Sequence, residues 1–205
     1  MGSAAVPELR RERLPVGLVF TTHATLLGRY LDTLMDLLVN VALFAALTRH
    51  GPSWAAWTAL VTLTLVLSTE YNAMRRHLEE HGEAPDAAPP PGAPPGVIAL
   101  LAGAYRAVLA PQDRLLRALD ARLFALAAGV PWAAADSATR RRWADRFSVD
   151  ALVNLGLSTQ LLALGLCAAL GKPYAYVVLV LLQLPYVTSV QLWRVWRFRR
   201  AVAAV

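Results

Sequence analysis

The chain has 205 residues, 57% of them hydrophobic, with a formal net charge of +6. This apolar share exceeds that of an ordinary soluble domain, and the excess is gathered into long runs of Leu, Val and Ala separated by arginine-rich stretches, the pattern of an integral membrane protein. No soluble basic domain stands out, so nucleic-acid binding is excluded as the first reading of the charge. A lone cysteine, Cys167, sits in an apolar run and excludes an intrachain disulfide.

Taken in chain order, residues 1–25 carry Arg10, Arg11 and Arg13 but no convincing secretory signal, because LPVGLVF is short for a hydrophobic region and no small-residue cleavage site follows. A first spanning helix is predicted from about Arg29 to Thr48. Its opening turns hold Asp32 and Asp36, which share one helical face because they lie at i and i+4. Gly28 lies one turn earlier on the same stripe. Ionisable groups inside membrane helices are expensive and mark functional sites. Two neighbouring carboxylates suit a hard divalent cation such as Mg²⁺ or Mn²⁺.

His50-Gly51-Pro52-Ser53 predicts a tight turn into a second spanning helix over about Trp54 to Met74. Arg75 and Arg76 follow it as candidate phosphate contacts. Glu70 is expected to pair with a nearby arginine, and the His77–His81 pair to lie on a solvated face. Residues 83–95 are rich in Pro and Ala and read as an extended linker. Residues 97–110 are apolar but short for a span. Residues 111–130 alternate leucines with Asp113, Arg114, Arg117, Asp120 and Arg122, the pattern of an amphipathic helix lying at a membrane face. Two more spans are predicted over about Val149 to Leu170 and Tyr174 to Val195, joined by Gly171-Lys172-Pro173. Asn40, Asn154, Gln160 and Gln183 should hydrogen-bond between helices. Trp193 and Trp196 read as an interfacial belt beside snorkelling Arg194 and Arg197.

The predicted class is therefore all-α: an integral membrane bundle of about four transmembrane helices with an interfacial amphipathic region. It divides into residues 1–82 (first hairpin and acidic motif), 83–147 (linker and interfacial helices) and 148–205 (second hairpin and basic tail). The two tight turns hold only Arg49 and Lys172, and the other arginines gather toward the opposite side. The positive-inside rule then places both termini and the acidic motif in the cytoplasm, in a bacterial cytoplasmic membrane.

Gly28, Asp32 and Asp36, with the run Ser68 to Arg76 closing the second helix, resemble the second half of the CDP-alcohol phosphatidyltransferase signature, D-x-x-D-G-x-x-A-R-x8-G-x3-D-x3-D. The resemblance implies a transferase of phospholipid biosynthesis that moves a phosphatidyl or phosphoalcohol group from a CDP-linked lipid or alcohol donor to a hydroxyl acceptor, releasing CMP. It implies a divalent metal, Mg or Mn, held by Asp32 and Asp36, with Asp36 also the general base. Gly28 would leave room for the nucleotide, and Arg29, Arg75 and Arg76 would contact substrate. Family members often pair, so a homodimer is implied too. The first half of the signature is absent: Leu14-Pro15 and Leu18-Val19 stand where Asp-Gly and Ala-Arg are expected. An amino-terminally truncated copy and a diverged, inactive relative would each account for this. Two other classes stand beside the transferase: a non-catalytic membrane protein packing with a partner or lipids, and a small ion-coupled transporter.

Overall fold

A computed structural model describes residues 26–82, 96, 103, 106–107 and 109–203. Every regular element among them is helical: α1 (Leu26–Leu47), α2 (Ser53–His81), α3 (Ala110–Ala128), α4 (Ser137–Trp143), α5 (Arg146–Val153), α6 (Leu157–Ala169) and α7 (Ala175–Ala203), with short 3₁₀ turns at Thr48–His50 and Trp132–Ala134. The amino-terminal basic segment, the Pro/Ala linker and most of 97–108 lie outside the described residues.

Helix α2 is the central post, packed against α1, α3, α5 and α7. Ala55, Ala56 and Ala59 are buried on it, and these small side chains let Phe44 of α1 and Val177 and Val180 of α7 approach closely. Cys167 packs in the same cluster, as expected of a buried apolar thiol. At the far end of the bundle Phe124, Trp143 and Phe198 form a second, aromatic core.

The two tight turns meet at one end. The Tyr174 hydroxyl donates to the Pro52 carbonyl at 2.7 Å. A Cβ on Gly51 would lie 2.6 Å from the Tyr174 ring, so a larger residue there would push that ring off the docked turn. Gly171, at φ 69°, supplies the left-handed residue that closes the second turn.

Two segments are long and apolar enough to cross a membrane, Ser137–Ala169 and Ala175–Val202. Only 17% and 22% of their most apolar windows are buried, so these segments turn most of their apolar surface outward instead of into a core. Leu162, Leu166, Leu170, Val178 and Leu182 are all exposed. Apolar surface on this scale marks a contact with lipid or partner, not with water.

The helix expected over 149–170 is interrupted. It breaks at Asn154–Gly156, where Gly156 caps α6 and the Gln160 amide donates to the freed Leu155 carbonyl at 2.8 Å. Gln160 and Gln183 exchange amide bonds of 3.0 and 2.9 Å, as expected for polar groups between membrane helices. Asn154 instead bonds back to the Asp150 carbonyl of its own helix at 3.2 Å. Helix α3 is amphipathic, but its polar stripe turns inward toward α2 and α7. Asp113 is buried, while Leu115, Leu119 and Leu126 face outward.

Candidate functional site

Asp32 and Asp36 lie one turn apart on α1 and open onto a cavity of about 410 Å³ between α1, α2 and α3. Glu70 of α2 and Asp113 of α3 line the same cavity, with Asn40, Thr64, Ser68 and Tyr71. Among the described residues that line it, none is basic. Four carboxylates therefore line one space, and a cation is a natural complement to the Asp32/Asp36 pair.

The depth of this cavity follows from helix geometry. Asp36 precedes the end of α1 by eleven residues and Thr64 follows the start of α2 by eleven, which places both about 17 Å from the docked turns at 1.5 Å per residue. Asn40 lies a further turn toward the turns. It is 4% exposed, and no hydrogen bond reaches its side chain among the described residues. It was expected to bond between helices; it lines the cavity instead.

Asp113 is held in place by a polar ladder. Along α2 the residues Thr64, Ser68, Asn72, Arg76 and Glu80 recur every fourth position and form one stripe. The Gln112 amide donates to the Thr64 carbonyl at 2.6 Å and to Ser68 Oγ at 2.8 Å. Asn72 Nδ2 donates to the Ser68 carbonyl at 2.8 Å and to Asp113 Oδ1 at 3.2 Å, and Arg117 Nε donates to Asn72 Oδ1 at 3.0 Å. Helix α3 is thus fastened to α2 by its polar edge, and Asp113 is carried to the cavity wall.

On the other side of this ladder lies a groove of about 420 Å³ between α2, α3 and α7. Leucines and valines line it beside polar side chains, and Arg75, Arg76, Arg117 and Arg194 line it together with Asp120 and Glu79. Asp120 pairs with Arg76 and, at 2.9 Å, with Arg194. The Trp143 indole N–H donates to the same carboxylate at 3.2 Å. Arg194 Nε donates to the Trp143 carbonyl at 3.0 Å, and its guanidinium lies 4.1 Å from the Trp143 ring centroid. Arg194 is therefore buried in a neutralising cage and does not snorkel as its neighbours in the sequence suggest. Arg197 pairs with Asp145 at 2.8 Å.

Of the residues singled out by sequence, Asp32 and Asp36 meet at one cavity. Gly28 and Arg29 belong to the first turns of α1, and their surroundings lie outside the described residues. Arg75 and Arg76 line the neighbouring groove, where Arg75 pairs with Glu79 at 2.6 Å and Arg76 with Asp120. Glu70, expected to pair with an arginine, has no such partner among the described residues. Those two arginines are drawn to acids farther along, and Glu70 faces the acidic cavity instead. Glu70, Asp113 and Asn40 are lining residues to which sequence reasoning gave other places.

Oxygen donors of this kind fit a hard divalent ion. Among the described residues no three carboxylate, imidazole or thiolate groups converge on one point. Mg²⁺ is commonly held by only one or two carboxylates, the remaining positions going to water and substrate phosphates, and the Asp32/Asp36 pair suits that mode. No family model matches the chain, and neither a curated protein nor a solved structure was found to match it.

Proposed function

We propose that the protein is a membrane transferase of the CDP-alcohol phosphotransferase kind, acting in phospholipid biosynthesis. The observation that carries this reading is the acidic cavity itself: Asp32 and Asp36 at the spacing of the signature, opposite Glu70 and Asp113. The reading places four spans in the bilayer, namely α1, α2, α5 with α6, and α7. Both termini and the arginine-rich end face the cytoplasm.

Asp32 and Asp36 would hold the divalent ion, Mg or Mn. When bound, it would neutralise the donor's diphosphate and orient it for displacement. Gly28 and Arg29, at the cytoplasmic start of α1, lie where the nucleotide would enter. Asp36 accepts the proton of the acceptor hydroxyl. The acceptor oxygen then forms its bond to the phosphorus that carries the lipid or alcohol, and the bond from that phosphorus to the CMP oxygen breaks. Asn40, beyond Asp36 at the inner end of the cavity, offers an amide to hydrogen-bond the hydroxyl partner.

The test is CMP release by the purified full chain in lipid nanodiscs, given CDP-diacylglycerol, Mn²⁺ and a panel of alcohols. The expected result is metal-dependent CMP release that Asp32→Asn and Asp36→Asn each abolish. No CMP with any acceptor overturns the enzyme assignment. Cation flux across sealed vesicles without CMP chemistry, lost in the same variants, would assign the cavity to transport.

A further inference from the structure

The basic groove is walled off from the acidic cavity by the Thr64–Ser68–Asn72 ladder, so its ligand is a separate question from the transferase reading and does not rest on it. Its charge does not balance. Four arginines line it against two carboxylates, Asp120 and Glu79. Asp120 is shared by Arg76 and Arg194, and Arg117 bonds the neutral Asn72 amide. Arg75 and Arg117 are exposed, with their guanidinium groups at the rim.

Depth identifies the occupant. Arg75 follows the start of α2 by 22 residues and Arg194 follows the start of α7 by 19, which puts them about 33 and 29 Å from the docked turns. That span matches the roughly 30 Å of bilayer hydrocarbon, so the guanidinium groups sit at headgroup level when the turns sit at the opposite surface. Below them the groove is walled by Leu65, Val66, Leu184 and Val187. A positively charged rim over an apolar trough of acyl-chain depth complements a phospholipid with net negative charge.

We propose that this groove seats an anionic phospholipid, its phosphate between Arg75 and Arg117 and its acyl chains against α2 and α7. Because the ladder closes it off from Asp32 and Asp36, the lipid held there is a resident one and not the reacting donor.

The experiment uses the full chain reconstituted in nanodiscs of phosphatidylcholine doped with phosphatidylglycerol, followed by native mass spectrometry of the released protein. The expected result is preferential retention of phosphatidylglycerol, reduced about tenfold or more by the double variant Arg75→Gln/Arg117→Gln, which removes two near-surface charges. Both side chains are exposed; because Arg117→Gln gives up the bond to Asn72, a retained cooperative unfolding transition checks that the variant is folded. Leu184→Trp, which fills the trough and leaves every charge in place, should lower retention as well. Equal retention of the two lipids, or retention unchanged in both variants, overturns the proposal. Displacement of phosphatidylglycerol by millimolar glycerol phosphate or inorganic phosphate also overturns it, and reassigns the rim to a soluble phosphate compound.

Discussion

The acidic cavity and the basic groove are nearly equal in size, about 410 and 420 Å³, and share a wall, yet they treat charge in opposite ways. In the groove the deepest guanidinium, Arg194, meets a carboxylate, a carbonyl, an amide oxygen and an indole face. In the cavity four carboxylates, Asp32, Asp36, Glu70 and Asp113, line one space. Charge in a low-dielectric interior persists only when it is neutralised or functional. The groove's inner charges are structural, since they are neutralised from within. The cavity gathers charges of one sign around the Asp32/Asp36 pair, and that asymmetry is why the acidic side is the candidate site.

The largest effect that would test this contrast is at Asp120. Asp120→Ala strips the carboxylate from Arg76 and from Arg194, which is only 6% exposed. An uncompensated buried guanidinium costs about 3–5 kcal/mol, measurable by denaturant or thermal unfolding in nanodiscs. The double variant Asp120→Leu/Arg194→Met should recover much of that loss. If Asp120→Ala is silent, the groove's inner charges are not structural and the comparison fails.

The acidic side should respond in the reverse sense. Asp36→Asn removes one member of an i,i+4 like-charge pair, so without metal the variant should be as stable as the parent chain or more stable by about 0.2–0.5 kcal/mol. Mn²⁺ at a hundred times its dissociation constant should stabilise the parent chain by about 2.7 kcal/mol and leave Asp36→Asn nearly unmoved. Equal metal-induced shifts in both proteins would remove Asp36 from the ion site. Asn72 stands on the boundary, giving its amide N–H to Asp113 and its oxygen to Arg117. Asn72→Leu should cost about 1–3 kcal/mol and loosen α3, seen as faster hydrogen exchange across Leu115–Leu119.

Half of the acidic cavity was legible in the sequence. Asp32 and Asp36 share a face by spacing alone, and the two tight turns were announced by Gly-Pro and Gly-Lys-Pro. Asp113 was hidden because its segment mixes leucines with charges, which reads equally as a surface helix or as one with its polar edge turned inward. The signal that separates the two readings lies on α2: five polar residues at every fourth position, Thr64 to Glu80, form a stripe that needs a polar partner helix. The burial of Arg194 had no local signal, since its cage is built from Asp120 and Trp143, distant in the chain. The break at Asn154–Gly156 was masked by the apolar run around it, in which one glycine is weak punctuation.

The smallest effect concerns how the groove's cage is supported. Trp143, against which Arg194 stacks, ends the short helix α4, and Asp136 caps that helix by accepting from the Thr139 backbone N–H at 2.8 Å and from the Thr139 hydroxyl at 2.9 Å. These bonds to the ionised carboxylate, the backbone one foremost, hold its pKa below the usual 3.8. A carboxyl group whose folded pKa is depressed contributes stability that is present above the unfolded value and lost as pH falls through the folded one. The cap should therefore be constant across neutral pH and weaken only below about pH 4, with amide protection at Thr139–Trp143 falling in acid. Asp136→Ala should lower protection at those amides at neutral pH and remove its acid-dependent fall, while exchange around Asp36 stays unchanged. If exchange around the acidic cavity followed the cap, the two sites would be coupled through α4, and the wall between them would not be the barrier the ladder implies.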